Sequence, residues 1–186
     1  MPLNDRLDAV GDYSFDRLRA LLGGVEPPAG VTPIALSLGE PQHAPPAFLA
    51  ETIARESAGW SKYPLVRGAD TARAAIAGWL TRRYGLPDGM VDPDTMVIPV
   101  SGTREALFMV ALAAVPERKN GEKPVVLMPN PFYQVYLGAA VTAGAEPVLV
   151  PADRQNGFLP NYAALPDDIL SRTALAYYCS PANPQG

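Results

Sequence analysis

The chain has one cysteine, Cys179, and one histidine, His43. A zinc site built from Cys and His is therefore out of reach, and no other metal set is read. No internal disulfide can form, which fits a reducing compartment. Lysine is scarce too: Lys62, Lys119 and Lys123 are the only ones. Basic residues number 15 against 19 acidic, with no basic block, which argues against a nucleic-acid partner. The longest apolar run, Ala106–Val115, has ten residues, whereas a bilayer span needs about 20. The start, MPLNDRLDAV, lacks the basic region and apolar run of a signal peptide. These absences point to a cytoplasmic protein without a membrane partner.

What is present is a globular composition. Of 186 residues, 48% are hydrophobic and 18% charged, enough for a domain with a real core. The prolines sit singly and punctuate the pattern. Residues 1–30 read as an arm with one short amphipathic helix, its apolar face made by Phe15, Leu18, Leu21 and Leu22. VTPIALSLGEP reads as a short strand ending in a turn at Gly39. PPAFLAETIARES reads as a helix, and Asp70 as the N-cap of the helix TARAAIAGWLTRRYG, which stops at Gly85.

From residue 95 the rhythm becomes strand, helix, strand: TMVIPVSG, REALFMVALAAV, KPVVLMPNP, YQVYLGAAVTAG, AEPVLVPA, LPDDILSR and TALAYYCSP. Short apolar strands alternating with helices predict an α/β fold with a mostly parallel sheet covered by helices. In such a sheet all strand-to-helix loops share the carboxyl edge, where ligands bind. VSGTREA, PNPFYQ and SPANPQG should therefore face one crevice.

Each loop carries recognisable chemistry. SGTRE opens a helix whose first N–H groups have no internal partner, and Gly102, Thr103 and Arg104 add space, a hydroxyl and a charge; this is a phosphate cradle or a plain N-cap. In PNPFYQVY, Phe132, Tyr133 and Tyr136 offer aromatic faces to a flat ring, or simply core. In SPANPQG the residues before proline stay extended, so Asn183 can point its amide across the crevice, and Ser180-Pro181 and Asn183-Pro184 are candidates for cis bonds. Cys179 reads as a strand residue and His43 as a loop residue, not as nucleophile and base. Phosphate donors, an aromatic plate and an amide donor together suit a phosphorylated aromatic cofactor.

In these motifs the sequence resembles the class I/II aminotransferases, the fold-type-I pyridoxal-phosphate enzymes. SLGEP, KYPLVRGADTARAAIAGWL, GTREAL, PNPFYQVY and NPQG occur in the family's order along essentially the whole chain. The resemblance implies a fold-type-I large domain with helices on both faces of the sheet. Residues 1–44 would form the arm and the start of the small domain, and residues 45–186 a truncated first part of the large domain. It implies pyridoxal 5'-phosphate as cofactor, held at its phosphate by Gly102, Thr103 and Arg104, at its ring by stacking on Tyr133, and at its phenolate oxygen by Asn183. Tyr63 would reach the phosphate in a neighbouring subunit of a homodimer, and Gly39 would meet substrate through its backbone. The arm together with LSLGEPQHAPPAF is most similar to N-succinyldiaminopimelate aminotransferases, which implies transfer from glutamate to N-succinyl-2-amino-6-ketopimelate in lysine and diaminopimelate biosynthesis.

The family's Schiff-base lysine lies well after the Asn-Pro-x-Gly signature. Lys119 and Lys123 fall between a helix end and a strand start, on the wrong edge of the sheet, and Lys62 precedes the sheet. The chain is thus expected to be the first part of an enzyme roughly twice as long, and inactive alone. Another fold-type-I reaction, such as a carbon–sulfur lyase or a synthase, and a non-catalytic α/β binding module are the rival readings.

Overall fold

The structure, a computed structural model, describes residues 4–34, 36 and 39–186. The strand expected over 31–41 falls partly on Ala35, Ser37 and Leu38, which lie outside the described residues. The chain forms two compact units. One joins Met1–Leu21 to Val100–Gly186, and the other is Leu22–Pro99. Neither break coincides with the border expected after residue 44.

The first unit is built on a three-stranded sheet of β1 (Val125–Asn130), β2 (Glu146–Pro151) and β3 (Thr173–Ala176), in the order β2-β1-β3. Both pairings are parallel, with Val125 opposite Glu146 on one side and Thr173 on the other. An irregularity between Val125 and Val126 shifts the β3 register, so that Val126 meets Leu175. The central strand is buried from Val125 to Pro129 on both of its faces, as a continuous apolar run requires.

Two helices described in this unit, α4 (Thr103–Ala114) and α5 (Gln134–Thr142), pack on each other and on the sheet. They take the face of β1 that carries Val126 and Met128, and bring Ala111, Tyr136, Ala139 and Ala140 into one core with Tyr177. The short α6 (Asp167–Arg172) leads into β3. Arg172 ties the amino edge, donating to the Lys123 carbonyl at 3.0 Å and to Glu146 at 2.8 Å. The helical arm segment α1 (Ser14–Leu22) begins in this unit, where Gln134 Nε2 donates to Ser14 Oγ at 3.0 Å.

The second unit contains α2 (Ala47–Arg55) and α3 (Asp70–Tyr84). Gly85 ends α3 in the left-handed region at φ 60°, its N–H bonded to the Thr81 carbonyl. The expected N-cap is corrected by one position. Ala69 is the cap and Asp70 the first helical residue, because the Asp70 carboxylate is taken by Arg73, at 2.7 Å, instead of by the helix backbone. Arg73 is the unit's buried charge, 2% exposed. Its guanidinium donates to the carbonyls of Pro93 (3.0 Å), Arg67 (3.3 Å) and Gly68 (2.8 Å) and to Asp94 (2.9 Å). The Asp94 and Asp70 carboxylates hold its pKa above the ordinary value, Asp94 the more strongly and against the effect of burial.

The strand expected at TMVIPVSG is not present. Met96, Ile98 and Val100 are 67%, 70% and 53% exposed, and the stretch has no ladder partner among the described residues. Apolar alternation specifies an extended chain; a strand also needs a neighbour to exchange hydrogen bonds with.

Candidate functional site

β1 stands between β2 and β3, so the chain leaves its carboxyl end toward one side and returns on the other. The region above the strand ends at such a reversal is the usual ligand position in an open parallel sheet. The loop after β1 carries Pro131, Phe132 and Tyr133; the loop after β3 carries Tyr177 to Gly186. Both therefore lie on one rim, and side chains join them to the start of α4. Arg104 Nε donates to the Tyr133 hydroxyl at 2.8 Å. Gln185 Nε2 reaches the Pro131 carbonyl at 3.4 Å. The expected convergence of SGTRE, PNPFY and SPANP is thus present.

Gly102 is the N-cap of α4 and Thr103 its first residue, with no side chain bonded to the first-turn amides. Gly102 has φ −179°, an extended conformation open to any residue, so glycine serves here as an absence of bulk. A Cβ at this position would lie 2.5 Å from the Glu105 carboxylate. The bond to Tyr133 raises the pKa of the Arg104 guanidinium above its ordinary value. The first turn thus presents free N–H groups, a hydroxyl and a held cation, a donor set that suits a phosphate dianion.

Tyr133 caps α5 and is half-buried. Its ring meets Tyr136 edge-on, with centroids 5.8 Å apart and planes at 88°. Tyr136 in turn stacks on Tyr177 at 4.2 Å and 12°. The two inner rings are 3% and 4% exposed. The Tyr177 hydroxyl donates to the Leu107 carbonyl on α4, and the Tyr162 hydroxyl to the Tyr177 carbonyl, each at 2.7 Å. Burial raises the phenols of Tyr136, Tyr177 and Tyr162, with Tyr162 pushed up to about 12. The outer ring, Tyr133, is thus fixed by a packed aromatic column.

Asn183 is exposed at the rim in a turn closed by the Gly186 N–H on the Ala182 carbonyl, 2.7 Å. The peptide bonds Ser180-Pro181 and Asn183-Pro184 are cis, and so is Asn130-Pro131. Beside Asn183, the Gln185 Oε1 atom is buried and unpartnered. Cys179 turns its thiol to the Pro181 carbonyl at 3.1 Å, inside the loop. The expected site residues Tyr63 and Gly39 belong to the other unit, and both are exposed, Tyr63 at 94%. Lys123 precedes β1 and Lys119 bridges to Glu122, which puts both at the amino edge, opposite the rim.

Sequence reading missed Tyr177 and Gln185. Tyr177 and Tyr178 are adjacent, and period-two alternation says that one faces inward without saying which; Tyr178 is the outer one, 67% exposed. Gln185 occupies the free position of Asn-Pro-x-Gly, so only its contact with Pro131 marks it. No helix among the described residues is long and apolar enough to cross a membrane.

Comparison with known proteins agrees with this geometry. Residues 31–186 match the family Aminotransferase class I and II. The LL-diaminopimelate aminotransferase of Dehalococcoides mccartyi strain 195 is 31% identical over 188 residues, covering 100% of this chain and 46% of that protein. The enzyme of the same name from Aquifex aeolicus is 34% identical, covering 97% and 45%. These relatives carry the LL-diaminopimelate name and not the N-succinyl one expected from the arm. Among solved structures, an aminotransferase from Neisseria meningitidis Z2491 superposes with a TM-score of 0.89 at 35% identity, over 98% of this chain and 45% of that one. The aminotransferase AspB of Helicobacter pylori 26695 superposes with a TM-score of 0.81 at 31% identity, over 95% and 44%. This chain spans about half the length of the curated relatives that it matches. Its fold is that of the fold-type-I pyridoxal-phosphate aminotransferases, and the chain belongs to the class I and II aminotransferase family.

Proposed function

We propose that this chain forms the first part of a cytoplasmic, homodimeric aminotransferase that uses pyridoxal 5'-phosphate to move an amino group from glutamate to a keto acid. The observation that carries the proposal is the Arg104–Tyr133 contact, which brings a phosphate-type cradle and an aromatic plate together at one strand-end rim. The residues present fit the cofactor: uncapped amides and a guanidinium for its phosphate, a half-buried ring for its pyridine, and an exposed amide on the opposite loop. When bound, the cofactor supplies the electron sink for amino-group transfer.

In this reading Gly102, Thr103 and Arg104 hold the phosphate, and the face of Tyr133 stacks on the ring. Asn183 donates its amide N–H to the phenolate oxygen. Gly39 meets substrate with its backbone, and Tyr63 crosses to the phosphate in the partner subunit. Residues 1–44 belong to the arm and small domain, and residues 45–186 to the large domain. The lysine that the chemistry requires is none of Lys62, Lys119 and Lys123, so this chain alone has no transaminase activity and no specific borohydride-trappable adduct.

The acceptor is proposed to be N-succinyl-2-amino-6-ketopimelate, as the arm suggests. The names of the curated relatives favour a second reading, in which the amino-bearing partner of the transfer is LL-diaminopimelate without a succinyl group. Both place the enzyme in lysine and diaminopimelate synthesis. The test is to purify the longer protein and assay glutamate with the N-succinyl keto acid against LL-diaminopimelate with 2-oxoglutarate. Turnover of the N-succinyl pair supports the first reading, and turnover of LL-diaminopimelate alone replaces it with the second. A protein that retains no pyridoxal phosphate and transfers no amino group refutes both.

A further inference from the structure

We infer that the Tyr133 hydroxyl is a positioning group for Arg104, aiming its guanidinium at a phosphate, so that Tyr133 has a role beyond offering a ring face. The inference rests on the reading of the rim as a pyridoxal-phosphate site. Arg104 is the second residue of α4 and is exposed. A free arginine side chain there samples many rotamers, and each lost one weakens its grip on a ligand. The hydroxyl of Tyr133, 29 positions away in the chain, accepts from Arg104 Nε at 2.8 Å. That bond uses the side of the guanidinium. The two Nη atoms form the end-on fork that matches phosphate or carboxylate oxygens, and no hydrogen bond to them is found among the described residues. The contact therefore fixes the plane of the fork without occupying it.

The hydroxyl can do this because its ring is braced from behind. Tyr133 rests on Tyr136, Tyr136 on Tyr177, and Tyr177 is bonded to the Leu107 carbonyl of α4, the helix that begins beside Arg104. The contacts close a circuit from α4 through three rings and back to the start of α4. The Glu105 carboxylate lies close to Gly102.

The test compares two probes, pyridoxal 5'-phosphate and pyridoxal, which differ by the phosphate alone. Dissociation constants are measured by fluorescence quenching on the longer protein carrying this chain, with wild type, Tyr133→Phe, Arg104→Met and the double variant. Tyr133→Phe keeps the ring and removes the hydroxyl. It should weaken the phosphorylated probe about tenfold, the scale of one lost charge-assisted hydrogen bond, and leave pyridoxal unchanged. The double variant should be no weaker than Arg104→Met, because the hydroxyl acts only through the arginine. Equal loss for both probes would assign the effect to stacking and overturn the inference. So would losses that multiply in the double variant, or a Tyr133→Phe protein that binds as wild type does. A wild-type protein with no preference for the phosphorylated probe overturns the cofactor reading and this inference together.

Discussion

Replacing Tyr177 by Phe removes one hydroxyl from the base of the aromatic column and leaves the ring. The hydroxyl donates to the Leu107 carbonyl at 2.7 Å. Leu107 lies inside α4, so its carbonyl keeps the helical bond from Ala111, and no donor is orphaned. The cost is that of a single net hydrogen bond, about 1 kcal/mol. Removing the ring is a different perturbation. Tyr177 is 4% exposed and stacks on Tyr136 at 4.2 Å, so Tyr177→Ala loses burial and leaves a cavity, about 4 kcal/mol. With a urea slope of about 2 kcal/mol/M, the Phe variant should unfold about 0.5 M below wild type and the Ala variant about 2 M below. Equilibrium unfolding in urea, followed by far-UV circular dichroism, separates the two. If Phe costs as much as Ala, the hydroxyl and not the stack organises this core, and the reasoning given for the column fails.

Gly68 has φ +73°, and a Cβ there would lie 2.6 Å from the Pro99 ring. Gly68→Ala should therefore cost about 2 kcal/mol or more, and an unchanged melting temperature would contradict this. Arg73→Lys keeps the charge but loses the fork that serves three carbonyls and two carboxylates. It should lower the melting temperature, whereas Arg82→Lys on the exposed side of α3 should not. Tyr162 holds its proton up to about 12 in the folded chain against 10 unfolded. Its contribution to stability is complete below pH 10 and is lost as pH climbs from 10 toward 12. Tyr162→Phe should therefore lose less stability than wild type between about pH 9 and about pH 11.5, measured by melting at each pH.

Much of this was legible in the residues. Three strands, the helices between them and the shared rim follow from apolar period, Gly and Pro punctuation, and the rule that parallel strands put their loops on one edge. The order β2-β1-β3 does not follow, because alternation says which residues are buried and not which strand lies beside which. Met96, Ile98 and Val100 show the same limit: their pattern is that of a strand, but pairing is a property of two segments. At the site, SGTRE and PNPFY announced donors and rings. That Arg104 and Tyr133 hold each other is a fact of packing, decided by where Tyr136 and Tyr177 place the outer ring. Asp70 is a local case, in which a good capping residue is diverted by a buried arginine three positions on.

The central strand has one more consequence, in the time domain. It is paired to β2 along its whole length and to β3 from Val125 to Leu127, while β2 and β3 are each paired to it on one side. Exposing Val125–Leu127 to solvent exchange means detaching both neighbours at once, so this half of β1 should exchange last, near the rate set by unfolding of the whole unit. The loop that carries Tyr133 springs from the end of that strand. Its footing is thus a strand buried as far as Pro129 and paired to β2 as far as Asn130, and the aromatic plate should keep its place through fluctuations that already free the turn holding Asn183.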